Sequence, residues 1–150
     1  MKKILFILAA ALAVTSLAAV PKGWTDDFEA AQKRAEKEKL PLLVLFTGSD
    51  WCPWCVRLEQ EIVSKPAFAD VVVKEFVPVF LDFPNDESLV KPELRKKNEQ
   101  LAMKYRVRGF PSVLLMDAAG KVKARTGYRA GGPEEYVKHL RGLLKKDEAK

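Results

Sequence analysis

Both cysteines of the 150-residue chain lie in one run, Trp51-Cys52-Pro53-Trp54-Cys55. Two thiols three residues apart can close on each other, open again and pass the disulfide to another protein. The residues that follow, Val56 to Val63, carry an amphipathic helical pattern. This pattern puts Cys52 at a helix N-terminus and Cys55 one turn later. The partial positive charge of a helix start favours thiolate over thiol. A thiolate is the attacking species in thiol-disulfide exchange, and a second cysteine can resolve the mixed disulfide by attacking it in turn. The spacing therefore predicts dithiol chemistry, with Cys52 as nucleophile and Cys55 as resolving thiol.

A set of alternating elements must position this pair. Trp24 to Lys39 reads as a first helix, capped by Thr25 or Asp26 with Asp26 and Glu29 as a capping box, and stopped by Pro41. Leu42 to Phe46 is a continuous apolar run of strand length, as expected for a strand buried on both faces. It delivers the chain to Cys52 through Thr47-Gly48-Ser49-Asp50. A helix from Cys52 to about Ser64 follows, and Pro66 breaks or kinks it before Ala67 to Lys74. Phe76 to Asp82 is a second buried strand, and Pro92 opens a helix to Tyr105 that offers Leu94, Leu101, Met103 and Tyr105 to the core. Pro111 to Met116 and Lys121 to Thr126 form a hairpin around Asp117 to Gly120. Gly131-Gly132-Pro133 starts a last helix, with Glu134 and Glu135 in its first turn.

Residues 1–18 read as a secretory signal peptide: Lys2 and Lys3, the apolar run Ile4 to Val14, and a small-residue end at Ser16-Leu17-Ala18. The apolar run is short for a membrane span, and no cysteine stands at the cut for lipid attachment. The expectation is a single domain over residues 19–150, placed in the periplasm or secreted, where oxidising conditions make disulfides a natural substrate. The chain carries 26 basic against 20 acidic residues. Without Lys2 and Lys3 the excess falls to four, and it is interspersed along the chain, so nucleic acid is not an expected partner. Both cysteines belong to the motif, so stability must come from packing rather than from a disulfide framework.

At this point a resemblance can be named. Val44-Leu45-Phe46 leading into Trp51-Cys52-Pro53-Trp54-Cys55, then Val107-Arg108-Gly109-Phe110-Pro111, then Asp117 to Lys121 and Gly127-Tyr128, resemble in type and order the secreted bacterial thioredoxin-like proteins. The likeness covers roughly residues 24–145. It implies an α/β thioredoxin-like fold, a central mixed β-sheet flanked by helices with an extra N-terminal helix. It also implies a cis Phe110-Pro111 bond beside the cysteines, where the adjoining backbone receives an extended substrate segment. Trp51 and Trp54 then become candidates for an apolar docking face, along with Phe110 and Pro111, the alternative being that the two indoles pack around the loop. Gly109 and Gly127 read as relief of local backbone constraints. Cys-Pro-Trp-Cys is more similar to the Cys-Pro-Tyr-Cys of glutaredoxins than to the Cys-Gly-Pro-Cys of ordinary thioredoxins.

The chain departs from the thioredoxin pattern at one position. Thioredoxins usually carry a buried acid six residues before the first cysteine, and Phe46 stands there. On a helical wheel Cys52, Val56, Glu59 and Val63 share a stripe with Cys55 and Ile62 beside it. Glu59 is thus a carboxylate on an apolar face, where desolvation raises its pKa toward the range of proton exchange. The alternative is a glutamate whose stem packs while its head reaches solvent or a basic partner.

The leading function is a thiol-disulfide oxidoreductase that reduces or isomerises disulfides of exported proteins. It needs no cofactor, and a membrane electron donor would recycle it if it works as a reductase. An oxidase role stays open, although the third motif position lacks the histidine of strongly oxidising relatives. The rival class is a module in which the two thiolates hold Cu(I) or another soft metal for delivery. Two sulfurs make a poor zinc site, and His139, the one histidine, reads as a surface residue of the last helix. Val56 stands where haem attachment by Cys-x-x-Cys-His would need histidine. A non-catalytic interaction protein on the same fold is a third reading. Substrate, redox partner, direction of electron flow and oligomeric state are not readable from these residues.

Overall fold

A computed structural model describes residues 20–149, so the export-signal reading of residues 1–18 lies outside the described residues. Four strands form a mixed sheet, β1 (Leu42–Thr47), β2 (Val77–Asp82), β3 (Ser112–Met116) and β4 (Val122–Thr126), in the order β2-β1-β3-β4. β1 runs parallel to β2 and antiparallel to β3, which pairs antiparallel with β4 through a bulge at Leu115/Met116. β1 and β2 are buried at all six positions, as a continuous apolar run requires when helices cover both faces.

Alternation along the strands splits the core in two. Leu43, Leu45, Phe80, Val113 and Leu115 pack with Leu58, Phe68, Val72, Val137 and Leu140 on the side of α2 (Pro53–Leu58), α3 (Pro66–Glu75) and α5 (Gly132–Glu148). Leu42, Val44, Phe46, Leu81 and Leu114 face the other way, onto α1 (Phe28–Glu38) and α4 (Pro92–Lys104). Each such Leu or Phe contributes about 1.5–3 kcal/mol on burial. Two packed faces hold the C-terminal end of β1 rigid, and the cysteine motif hangs from that end.

Several boundaries depart from the sequence reading for definite reasons. Helix α1 starts at Phe28, capped by Asp27, whose carboxylate accepts the Ala30 amide at 2.9 Å. Thr25 and Asp26 do not cap it. Thr25 instead pairs with the free edge of β2, donating its amide to Pro78 O at 3.1 Å and accepting the Phe80 amide at 2.8 Å. That pairing covers an edge strand, and Pro78 is tolerated there because an edge leaves one row of groups outside the ladder.

The helix expected from Cys52 to Ser64 is α2 followed by a π-helical turn, Glu59–Val63. The wider turn sends both Ile62 and Val63 into the core. On α4 the core-facing line is Leu94, Asn98, Leu101 and Tyr105, at intervals of four, three and four. Met103 lies off this line and is 71% exposed, against expectation. Asn98 occupies a buried place in it because its side-chain amide donates to the carbonyl of Asp82 at 3.1 Å.

Candidate active site

Cys52 is the N-cap of α2 and is disulfide-bonded to Cys55, with Cα atoms 5.2 Å apart. Each sulfur accepts a backbone amide: Cys55 N–H donates to Cys52 Sγ at 3.3 Å, and Gly48 N–H to Cys55 Sγ at 3.4 Å. Exposure does not rank the two, at 4% and 2%. Their surroundings do. Cys52 stands at the helix start, whereas Cys55 lines a partly open pocket of about 250 Å³ with Thr47, Ser49, Glu59 and Phe80.

Three successive side chains tie the loop before Cys52 to the end of β2. Ser49 donates its amide and hydroxyl to the Asp82 carboxylate at 3.0 and 2.5 Å. Asp50 accepts the amides of Asn85 and Asp86 at 2.9 and 2.8 Å, and Trp51 Nε1 donates to Phe83 O at 2.7 Å. Short polar residues and an indole donor are what a loop needs to satisfy exposed backbone groups without secondary structure. The result is a fixed approach to the cysteines.

The aromatic candidates divide into two walls. Trp51, 44% exposed, meets Phe110 edge-on at 5.8 Å, and Phe110 touches Phe83 at 5.1 Å. Trp54, 52% exposed, tilts against Tyr128 at 5.4 Å, with the Arg57 guanidinium over both rings at 5.3 and 5.4 Å. Tyr128 donates its hydroxyl to Glu61, which also pairs with Arg57. These two bonds hold the Glu61 carboxyl below the usual range.

Phe110-Pro111 is cis. The register of β1 with β3 pairs Phe46 with Ser112, so Pro111 lies at the sheet end from which the cysteine loop leaves. Gly127 sits at a close approach, since a Cβ there would stand 3.1 Å from Pro111 O and would press on that backbone. Gly109 has no such constraint: a Cβ would meet nothing within 4 Å, which corrects its sequence reading.

Phe46 is fully buried and stacks at 6.2 Å on Phe83, so no acid occupies that position. Glu59 does share a cavity with Cys55. Burial alone pushes its pKa up. A buried carboxylate, Asp82, escapes the sequence reading, which takes it only as the end of an apolar strand. Burial pushes it up most, opposed by the donors Ser49 and Phe83. An acid closing the run Val77 to Leu81 was the available signal, but its neighbour Thr47 emerges only from the β1/β2 register. His139 is partly buried rather than a plain surface group, with Nε2 2.8 Å from Thr126 Oγ1. Burial lowers its pKa, with Arg129 and Lys146 adding to the effect. Among the described residues no group of three or more His, Cys, Asp or Glu gathers at metal-binding geometry.

Residues 28–143 match the family described as Thioredoxin-like domain. The chain is 33% identical over 129 residues to the disulfide bond reductase DsbH of Chlamydia pneumoniae, covering 86% of this chain and 76% of that one. It is 30% identical over 93 residues to the thioredoxin-related protein DsbJ of the same organism, covering 62% of this chain and 26% of that one. A solved structure of a DsbH oxidoreductase superposes with a TM-score of 0.78 at 32% identity, over 92% of this chain and 95% of the other. With the Cys52-Cys55 disulfide at the head of α2, these likenesses make the chain a member of the thioredoxin-like family and a thiol-disulfide oxidoreductase within it.

Proposed function

We propose that the protein is exported, residues 1–18 serving as a cleaved signal ahead of a single domain, and that it reduces or isomerises disulfides of exported proteins in the periplasm or outside the cell. Reduction is the reading favoured by the likeness to a protein named disulfide bond reductase. The observation that carries the mechanism is the placement of Cys52 at the start of α2, its sulfur receiving the Cys55 amide. Both features stabilise a thiolate.

In the reduced protein the Cys52 thiolate attacks a substrate disulfide, forming a mixed disulfide and releasing one substrate sulfur. Cys55 then loses its proton and attacks Cys52 Sγ. The second substrate sulfur leaves with the electron pair, and the protein is left as the Cys52-Cys55 disulfide. Two electrons have passed to the substrate, and a dithiol donor, most simply one at the membrane, must return them. Glu59 accepts the Cys55 proton across the shared cavity. Trp51, Trp54, Phe110 and Pro111 form the docking face for the substrate segment, supported by the exposure of the indoles and the contact of Trp51 with Phe110.

The test is reduction of insulin disulfides with dithiothreitol as electron source, together with the reduction potential and the Cu(I) stoichiometry of the purified protein. The proposal expects catalysed reduction and a potential more negative than about −180 mV, away from the roughly −120 mV of a strong oxidant. A potential near that of the oxidant would overturn the reductase reading. Tight Cu(I) binding without turnover would favour the metal module.

A further inference from the structure

We propose that Asp82 is a second proton-holding residue for the buried thiol, acting through Ser49, whose hydroxyl is bonded to Asp82 and which lines the same pocket as Cys55. This rests on the reading of Cys55 as the resolving thiol. It adds a path that the sequence did not suggest.

Asp82 ends β2 with its carboxylate buried beside the cysteine loop. It accepts three hydrogen bonds, from Ser49 N at 3.0 Å, Ser49 Oγ at 2.5 Å and Phe83 N at 2.9 Å. Among the described residues no cation lies within ion-pair distance of it, and Arg95, which lines a hollow beside it, pairs with Glu87. A buried carboxylate held by dipoles alone is poised between its two charge states, since desolvation and hydrogen bonding oppose each other. The charge of Asp50 on the loop adds to burial in disfavouring its ionised form; Glu87, Arg95 and Glu99 line the hollow beside it, and Glu59 lines the pocket that Ser49 shares with Cys55.

Ser49 is the hinge of this arrangement, because one hydroxyl can donate in only one direction. With Asp82 ionised, the Ser49 hydrogen points to Oδ2, and its oxygen can only accept from the cavity. With Asp82 protonated, the acid donates to Ser49 Oγ and the serine hydrogen turns to the cavity, where a thiolate or water receives it. The cavity also carries Thr47, Glu59 and Gln60 on its wall, and at about 250 Å³ it has the polarity and room to hold water. As Cys55 attacks Cys52, its S–H proton passes through water to Ser49 Oγ while the serine proton moves to Asp82 Oδ2. The new S–S bond forms as the bond from Cys52 to substrate breaks, the electron pair leaving on the substrate sulfur. Re-reduction runs the same proton back.

A bond that merely pinned the loop would be served equally by asparagine, which keeps the two amide contacts and donates to Ser49 Oγ as the protonated acid does. Asp82→Asn therefore separates the roles. In the reduced Cys52→Ser background, Asp82→Asn should make Cys55 ionise at lower pH, by about one pH unit, as loss of a nearby charge and gain of a serine donor require. In the Cys52-containing protein the same change should remove an inflection from the pH-rate profile of resolution. Ser49→Ala should slow resolution about tenfold near neutral pH, and Ser49→Thr should restore it. Unchanged pH profiles in both Asp82→Asn and Ser49→Ala would overturn the proposal while leaving exchange through Cys52 intact. Failure of the wild-type protein to exchange disulfides at all would instead overturn the parent reading. If Asp82→Asn does not fold, Ser49→Ala against Ser49→Thr decides alone.

Discussion

The Gly48 amide donates to Cys55 Sγ at 3.4 Å, so the residue that ends β1's approach to the motif also stabilises the resolving sulfur. The same glycine carries the Trp51 indole. A Cβ at position 48 would stand 2.5–2.7 Å from three atoms of that ring, closer than side chains approach. The indole cannot simply swing aside, because its nitrogen is bonded to Phe83 O at 2.7 Å.

Gly48→Ala is therefore expected to destabilise the protein by about 1–3 kcal/mol, the usual cost of overpacking, and to shift Trp51 fluorescence. Thermal unfolding and emission spectra check this. An alanine variant with wild-type stability and spectrum would show that the loop repacks freely.

Glu59→Gln should slow exchange near neutral pH at least tenfold, since general acid-base help is typically worth about 10² to 10⁴ and water supplies part of it. Its effect on stability has a definite sign. Burial raises the folded pKa of Glu59, so the folded state binds more protons than the unfolded chain over the interval between the two values. Stability associated with this group is complete below the unfolded pKa and is lost as pH rises through the folded one. Glutamine removes that loss. The variant should be more stable than wild type at pH 7, and the gap should close below about pH 4, which paired urea titrations at the two pH values measure. Equal stability at both would mean that the carboxylate is solvated.

Trp54→Ala should raise KM for protein disulfides about tenfold while leaving the rate with a small disulfide such as oxidised glutathione nearly unchanged. Aromatic anchors that a partner desolvates typically dominate recognition, and this indole is preorganised between Tyr128 and Arg57. Equal losses on both substrates would assign Trp54 to the chemistry of the cysteines instead.

The parts of this molecule legible in its sequence are those governed by local pattern. Leu42 to Phe46 is buried on both faces because an apolar run of that length has no polar side to expose, and Pro53 at the first turn marks where α2 begins. The cis Phe110-Pro111 bond came through likeness of motif. What stayed hidden depends on register and tertiary pairing. Thr25 reads as a helix cap until the free edge of β2 claims its backbone. Asp82 reads as a strand end until parallel pairing sets it beside Thr47 and the loop brings Ser49 to it. The π-turn at Glu59 has no residue-level mark, yet it decides how Ile62 and Val63 share the core.

The division of labour between the sulfurs is tested most directly by trapping. Limiting iodoacetamide on the reduced protein, followed by peptide mapping, should label Cys52 first, because Cys52 heads α2 while Cys55 lies one turn inside it, in the pocket shared with Glu59. Cys55→Ser incubated with a protein disulfide should accumulate a mixed disulfide through Cys52. First labelling of Cys55, or mixed disulfides that form only when Cys55 is present and Cys52 is replaced, would contradict the account.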